Sequence, residues 1–342
     1  MVWLWIGLGI LVLLLLAISI AGHLYVLRYY IPVVVRIFQE RPIFKMLFGQ
    51  PQPDAEEVEL KTPDGLTLLG CYLHATAPRK GVVLFALEFA SNRWACVPYC
   101  SFLREAGYDV FTFEPRGQGK SSVQPGYEPL QWVTDFEVID FRTALDYLKN
   151  RADRHPRGVG LFGLSKGASA ALIAAAKDDF VRCFVVDGIF ATYATMVPYM
   201  AQWVFIYTRV PWIARLIPNW YFAFAARIAV RILERERACH YPLLERHLPM
   251  LSPRPLLMIH GGADNYIKPE MARSLFERVR EPKELWLVEN ANHNQAFHQA
   301  GEEYKRRVLE FFEKHLALPA PASPKLATEN PELTTVTADS AK

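Results

Sequence analysis

The sequence predicts an α/β fold: a mostly parallel β-sheet with helices on both faces, interrupted by a helical cap and preceded by a transmembrane helix. Three observations lead to this expectation. Short apolar or β-branched runs alternate with longer stretches of helical periodicity, and strict alternation of strands and helices is typical of parallel sheets. An aromatic-rich insertion interrupts this alternation late in the chain. An uncharged apolar run, residues 2–22, stands at the N-terminus, before the alternating region begins.

Six strands and five helices account for the alternation. The strands are predicted at residues 82–87, 109–113, 158–162, 181–187, 255–260 and 284–289. The helices are predicted at residues 94–106, 133–150, 166–177, 269–280 and 300–315. In front of them, two alternating stretches flank a Pro-Asp-Gly turn at 63–65, which is the pattern of a β-hairpin.

The N-terminal segment predicts a membrane anchor. Residues 2–22 carry no charged side chain, and about 20 apolar residues are enough to cross a bilayer as a helix. A cleaved signal peptide is the alternative, but such peptides begin with a basic region and have a shorter apolar core. Basic residues follow the run, at Arg28, Arg36, Arg41 and Lys45. This asymmetry predicts a single-pass protein whose body lies in the cytoplasm.

The insertion between the strands ending at Asp187 and beginning at Pro255 is too long for an ordinary connection. One interpretation is a helical cap whose aromatic residues pack on the main domain. The other, compatible with the first, is a cap that also contacts the bilayer, since aromatic and arginine side chains suit the headgroup region. A second transmembrane span is disfavoured because Arg209 and Arg215 would lie in the membrane.

These patterns divide the chain into five parts. They are a transmembrane anchor (1–27), a juxtamembrane connector (28–56), an α/β core (57–187 and 253–316), a cap (188–252) and a disordered tail (317–342).

The composition limits the classes of partner and cofactor. The 38 Lys and Arg residues oppose 35 Asp and Glu residues, for a net charge of +3, which gives no reason to expect a nucleic-acid partner. The five cysteines show no metal-type pairing, and their odd number argues against a complete disulfide framework. We therefore expect no metal and no cofactor.

A Gly-x-Ser-x-Gly pentapeptide, residues 163–167, lies between a predicted strand and a predicted helix. By itself it is ambiguous, because glycine and serine are also the commonest turn and helix-capping residues. A serine held up on a sharp strand-to-helix turn needs small neighbours, and Gly163, Gly167 and Ala168 meet this need. The context therefore favours Ser165 as a nucleophile.

A base and an acid follow in the order that such a serine requires. A serine is a weak nucleophile until a base takes its proton. Asp264 comes just after one predicted strand and His293 just after the last. The order Ser165, Asp264, His293 places all three at the carboxyl ends of strands, where sites of open α/β sheets form. Asp187, also at a strand end, is the reserve candidate for the acid.

From about residue 58 to residue 316, these features make the chain resemble the α/β-hydrolase superfamily, especially its membrane-anchored serine hydrolases of the abhydrolase-domain and BEM46-like kind. The matching motifs are Gly163-x-Ser165-x-Gly167, His260-Gly261-x-x-Asp264 with Pro269, Asn292-His293-Asn294, and FEPRGQGKS at 113–121. The resemblance implies an α/β-hydrolase fold, hydrolysis through an acyl-serine, and a structural rather than metal-binding His260.

The loop after the first core strand departs from the family pattern. Aligning FALEFASNRW on the family puts Leu87 and Glu88 where His-Gly is usual. The resemblance then implies an oxyanion hole formed by the backbone amides of Phe89 and Lys166. A backbone donor does not depend on its own side chain. Glu88 would bring a negative charge near the oxyanion unless it pairs with a neighbour such as Arg93.

The sequence therefore predicts a membrane-anchored serine hydrolase that cleaves carboxylic esters or thioesters of an apolar or lipid-like substrate. Its expected partners are the lipid bilayer and this substrate. Two alternatives stay open: a catalytically weak membrane protein that acts in interaction, and an acyltransferase. Cap side chains such as Trp212 and Phe224 are expected to line an acyl pocket, as binding sites are mostly apolar.

Overall fold

The computed structural model describes residues 1–41, 48–208 and 217–317. Within these residues one sheet has eight strands, in the order β1-β2-β4-β3-β5-β6-β7-β8. The strands are β1 (Glu56–Lys61), β2 (Thr67–Leu73), β3 (Gly81–Ala86), β4 (Tyr108–Phe113), β5 (Val159–Leu164), β6 (Val181–Asp187), β7 (Leu256–Gly261) and β8 (Lys283–Val288). The helices are α1 (Val2–Tyr25), α2 (Ile31–Phe38), α3 (Val97–Glu105), α4 (Asp135–Asn150), α5 (Ser165–Ala175), α6 (Thr192–Thr208), α7 (Asn219–Arg237), α8 (Leu244–His247), α9 (Pro269–Phe276), α10 (Ala296–Ala300) and α11 (Glu302–His315).

The sheet is mostly parallel, so the predicted fold class is confirmed. The hairpin β1–β2 pairs antiparallel, and β2 also pairs antiparallel with β4. All pairings from β4 through β3, β5, β6 and β7 to β8 are parallel. The carboxyl ends of β5, β7 and β8 therefore lie along the same edge of the sheet.

Alternating side chains of the central strands pack into two cores, one on each face of the sheet. Every residue of β3, β4, β5 and β7 is buried. In β3, Val82 and Leu84 join the cluster on one face, whereas Val83 and Phe85 join the cluster on the other. Helices on both faces leave no strand surface for polar side chains, which explains the continuous apolar runs.

The N-terminal helix continues without interruption from α1 through a π-helical stretch (Val26–Tyr30) into α2. α1 has no buried residue, and the helix is long and apolar enough to cross a membrane. α2 is different, because it buries Ile31, Val34, Val35 and Phe38. This spacing forms one apolar face of a helix.

The cap is built mainly from α6 and α7, and α2 packs against α7 in a third apolar cluster. α7 buries Phe222, Ala225, Ala226, Ala229 and Leu233. Arg209, Trp212 and Arg215, which entered the sequence predictions, lie outside the described residues, as do Lys45 and the predicted tail beyond residue 317.

Candidate active site

Ser165 lies on a sharp turn between β5 and α5. Its φ is +48°, a conformation that residues other than glycine rarely adopt and that is often found at functional sites. The flanking glycines are required by close packing. A Cβ on Gly163 would lie 2.8 Å from Cα of Ala168, and a Cβ on Gly167 would lie 1.9 Å from the carbonyl oxygen of Leu87. The turn thus presents Ser165 at the carboxyl edge of the sheet.

The structure brings Ser165, His293 and Asp264 into one hydrogen-bonded chain. Oγ of Ser165 lies 3.0 Å from Nε2 of His293, and Nδ1 of His293 lies 2.7 Å from Oδ2 of Asp264. Because a carboxylate only accepts, Nδ1 carries a proton, and Nε2 of the neutral ring can accept from the serine hydroxyl. This is the arrangement in which an imidazole can take the proton of an attacking serine.

Asp264 is held in one orientation by its own loop. Its Oδ1 accepts hydrogen bonds from the backbone amides of Tyr266 and Ile267, both at 2.8 Å, which leaves Oδ2 for His293. His260, on β7, donates through Nε2 to the carbonyl oxygen of Ile267 at 2.7 Å. Burial lowers the pKa of His260, so burial favours the neutral ring, which is bonded to the loop that carries Asp264.

Asp187, the reserve candidate, makes a different contact. Its Oδ2 accepts a hydrogen bond from the hydroxyl of Tyr304 at 3.0 Å, whereas Nδ1 of His293 donates its hydrogen bond to Asp264. The geometry therefore favours Asp264 as the residue that orients the imidazole. Asp187 is buried beside the site, and burial raises its pKa to about 7, with smaller contributions from the neighbouring carboxyls of Asp264 and Glu88.

The raised pKa predicts that Asp187 makes the protein less stable as the pH increases. The folded carboxyl keeps its proton up to about pH 7, whereas the unfolded chain releases it near 3.8. The native state therefore binds more protons between these values, and the free energy of unfolding falls as pH rises through this window. The difference between the folded and unfolded pKa values corresponds to about 4 kcal/mol in the free energy of unfolding. Asp187→Asn is expected to remove this dependence.

Urea unfolding of the full chain at pH 4.5 and pH 8 measures this effect. The stability of Asp187→Asn relative to the wild type should be higher at pH 8 than at pH 4.5. Asp179→Asn, at an exposed position, is the control and should follow the wild type at both pH values. The same pH dependence in Asp187→Asn as in the wild type would contradict the prediction.

The two residues expected to form the oxyanion hole lie close together. Lys166 is the second residue of α5, so its amide belongs to the first turn, whose N–H groups have no partner within the helix. Phe89 lies in the loop after β3, and the centroid of its ring is 5.3 Å from Nζ of Lys166. The tight contact between Leu87 and Gly167 brings this loop against the start of α5.

Glu88 does not pair with Arg93, the neighbour named as one that could turn its charge away from the oxyanion. The guanidinium of Arg93 instead donates to Glu114 at 3.2 Å and to Glu57 at 2.8 Å. Oε2 of Glu88 accepts a hydrogen bond from Nδ2 of Asn294 at 2.6 Å. Burial raises the pKa of Glu88, and the Asn294 bond partly offsets this effect. The bond ties the loop after β3 to the residue directly after His293.

A buried ion pair behind Ser165 was not foreseen from the sequence. Nζ of Lys166 donates to Oε1 of Glu137 at 2.7 Å and to the carbonyl oxygen of Leu130 at 2.6 Å. Glu137 also closes a capping box with Thr134 at the start of α4. The Lys166 side chain thereby connects the turn after Ser165 to α4 and to the segment before it.

Phe224, one of the cap side chains expected to line an acyl pocket, lies at the surface. The Phe224 side chain is exposed, and its ring lies 5.9 Å from the ring of His23 in α1. It therefore faces α1 and the surface. Trp212 lies outside the described residues.

Comparison with known proteins gives a consistent assignment. A family model described as alpha/beta hydrolase family matches residues 86–307. The uncharacterized protein YfhR of Escherichia coli (strain K12) is 28% identical over 290 residues, which cover 83% of this chain and 89% of that protein. Polyketide transferase ATR5 of Stachybotrys chlorohalonatus is 25% identical over 293 residues, 76% of this chain and 97% of that protein.

Solved structures show the same fold. The esterase Pf2001 of Pyrococcus furiosus superposes with a TM-score of 0.59 at 22% sequence identity, over 79% of this chain and 96% of that one. The α/β hydrolase GrgF from Penicillium superposes with a TM-score of 0.57 at 21% sequence identity, over 77% of this chain and 99% of that one. At this level of identity the similarity concerns the architecture.

Proposed function

We propose that this chain, which belongs to the alpha/beta hydrolase family, is a membrane-anchored serine hydrolase that cleaves carboxylic ester or thioester bonds. The observation that carries the proposal is the hydrogen-bonded chain from Oγ of Ser165 through His293 to Asp264. The strained backbone at Ser165 and its place at the carboxyl edge of a parallel sheet support it. The similarity in fold to an esterase agrees with this chemistry.

In the proposed reaction, Oγ of Ser165 attacks the carbonyl carbon of the substrate while Nε2 of His293 takes the hydroxyl proton. The backbone amides of Phe89 and Lys166 would donate to the oxyanion of the tetrahedral intermediate. His293 then gives its proton to the departing alcohol or thiol, which leaves an acyl-serine. A water molecule, deprotonated by His293, attacks the acyl carbon, and His293 then returns the proton to Oγ of Ser165 as the bond to the acyl group breaks, which releases the carboxylic acid and the free serine. Asp264 stabilises the imidazolium that forms in each half.

An apolar or lipid-like acyl group is the substrate class that suits this molecule best. α1 is exposed and apolar along its length, so insertion in a bilayer would keep the site near membrane lipids. Arg28 and Arg36 follow the apolar segment, and we propose that the catalytic domain lies on the cytoplasmic side. No metal or cofactor takes part in the proposed steps.

Acyl transfer is a second candidate, favoured by the similarity to a polyketide transferase. The acyl-serine would form in the same way, and an alcohol or thiol would then attack it in place of water. Adding short alcohols during turnover separates the two reactions. A transferase would yield mainly the new ester, whereas a hydrolase would yield mainly the free acid.

Labelling with a fluorophosphonate probe tests the proposal and the alternative of an inactive fold. The probe forms a covalent bond with a serine only where a base activates the hydroxyl. We expect labelling of the full chain in membranes, its loss in Ser165→Ala, and its retention in Ser101→Ala, which changes an exposed serine. A folded wild type that does not react would overturn the proposal, and so would labelling that survives in Ser165→Ala.

A further inference from the structure

One face of the cap helix α7 carries exposed side chains that change in character along its length. The exposed residues at helical spacing are Trp220, Phe224, Arg227, Arg231 and Arg235. Steps of three and four residues place them on one stripe of the helix surface. The stripe therefore begins with two aromatic side chains and continues with three arginines.

The aromatic end of this stripe lies where the apolar segment of α1 ends. His23 is the first ionisable side chain after the apolar run of residues 2–22. Its Nδ1 lies 2.8 Å from the hydroxyl of Tyr221, and its ring lies 5.9 Å from that of Phe224. If α1 crosses a bilayer, the first turns of α7 lie at the level where α1 leaves the hydrocarbon.

α7 then runs alongside the continuation of α1, away from that level. Tyr221 contacts His23 at one end, and the carboxylate of Glu236 accepts a hydrogen bond from Gln39 at 2.9 Å near the other. At 1.5 Å per residue, Arg235 lies about 16 Å further along the helix than Phe224. The headgroup layer is only about 5–8 Å thick, so the stripe passes from one side of this layer to the other.

The contact between the two helices fixes this arrangement. α2 buries its apolar face against α7, and the hydroxyl of Tyr30 donates to the carbonyl oxygen of Met200 in α6 at 2.5 Å. Because α1 and α2 form one continuous helix, the depth of α1 in the bilayer also sets the depth of the cap. No flexible linker separates the two within the described part of the chain.

We infer that the first turns of α7 insert into the lipid interface beside α1, with Trp220 and Phe224 at the boundary between headgroups and acyl chains. Arg227 then lies among the phosphates of the headgroups, and Arg235 lies in water. Tryptophan is enriched at this boundary, and arginine pairs well with phosphate. The inference rests on the membrane anchor of the proposed function and adds a second, cap-borne contact with the bilayer.

Spin labels on introduced cysteines test this order of depths. All five native cysteines are buried, so the label is directed to Leu13→Cys, Phe224→Cys, Arg227→Cys or Arg235→Cys in the full chain. Each variant is reconstituted in vesicles of phosphatidylcholine and phosphatidylglycerol. Collision rates with oxygen, which concentrates in hydrocarbon, and with a water-soluble nickel chelate then report the depth of each label.

We expect the label at position 13 to be deep, and the label at 224 to collide several-fold less often with the nickel chelate than the label at 235. The label at 227 should give an intermediate value. A deep label at 13 together with equal collision rates with the nickel chelate at 224 and 235 would overturn the inference and leave the anchor intact. Shielding of 224 from both reagents would also overturn it and would indicate a protein partner on this face. A water-accessible label at 13 would overturn the anchor and the inference together.

Discussion

Ser165→Ala is expected to lower kcat for short p-nitrophenyl esters by about a million-fold. The alanine has no oxygen to attack the carbonyl carbon, and the hydroxyl 3.0 Å from Nε2 of His293 is lost. His293→Ala should cost about as much, because an unactivated serine is a weak nucleophile. Steady-state hydrolysis by the detergent-solubilised full chain measures both effects.

The double variant gives the sharper result. If Ser165 and His293 act as one unit, the double variant should lose no more of kcat than either single variant does. Losses that multiply in the double variant would contradict such a unit. Ser101→Ala, which changes an exposed serine, should keep the wild-type kcat and shows that serine replacement alone has no general effect.

Asp264→Asn is expected to lower kcat by about ten-thousand-fold with little change in KM. The structure gives a specific reason. Two backbone amides already donate to Oδ1 of Asp264, from Tyr266 and Ile267, so the side-chain oxygen of the asparagine stays at that position. The side-chain NH₂ group then faces Nδ1 of His293, which must become the acceptor. The proton moves to Nε2, and the ring can no longer accept from Ser165.

Asp187→Asn is the matched control for this substitution, because it makes the same chemical change in another buried carboxyl beside the site. Its oxygen partner is the hydroxyl of Tyr304, which can donate equally to an asparagine oxygen. We expect kcat to stay within about tenfold of the wild type, since His293 keeps its tautomer. The reverse outcome, with Asp187→Asn inactive and Asp264→Asn active, would assign the acid to Asp187.

The strands were predictable from the sequence because parallel strands that are buried on both faces appear as uninterrupted runs of apolar residues. The predicted core strands agree with β3 to β8 within two residues at each end. The places of Ser165, Asp264 and His293 followed from the same runs, since Ser165 comes directly after β5, Asp264 three residues after β7 and His293 five residues after β8. Chain order and strand ends were enough to bring them to one edge of the sheet.

The supporting contacts of the site were not predictable in this way. Glu88 and Asn294 are 206 residues apart, and no local pattern marks which side chain meets a buried carboxylate. The nearby Arg93 was the natural choice, but Glu114 and Glu57 bind it instead. The orientation of Phe224 was also not predictable from the sequence. Its neighbour Phe222 is buried, and spacing alone did not show which of the two aromatic side chains faces the core.

The helix α2 was also not predicted from the sequence, because its apolar residues follow the longer apolar run of α1. Ile31, Val34, Val35 and Phe38 have the spacing of a helix face. Within a connector described only as apolar and basic, this face was not distinguished. In the folded chain α7 covers the apolar face of α2, whereas α1 meets α7 near its C-terminal end, at His23, and buries no residue.

The packing of α2 determines where a water-soluble form of the protein has to begin. Cutting the chain after Tyr30 removes the exposed apolar helix and leaves Ile31–Phe38 on the cap. A cut after Phe38 removes these residues too, and it uncovers the apolar face of α7 together with the ring of Trp132, on which Phe38 stacks at 3.9 Å. Such a product would expose a patch prone to aggregation. A water-soluble form is thus expected to start inside the same helix that carries the exposed apolar segment, well before residue 86, where the match to the family begins.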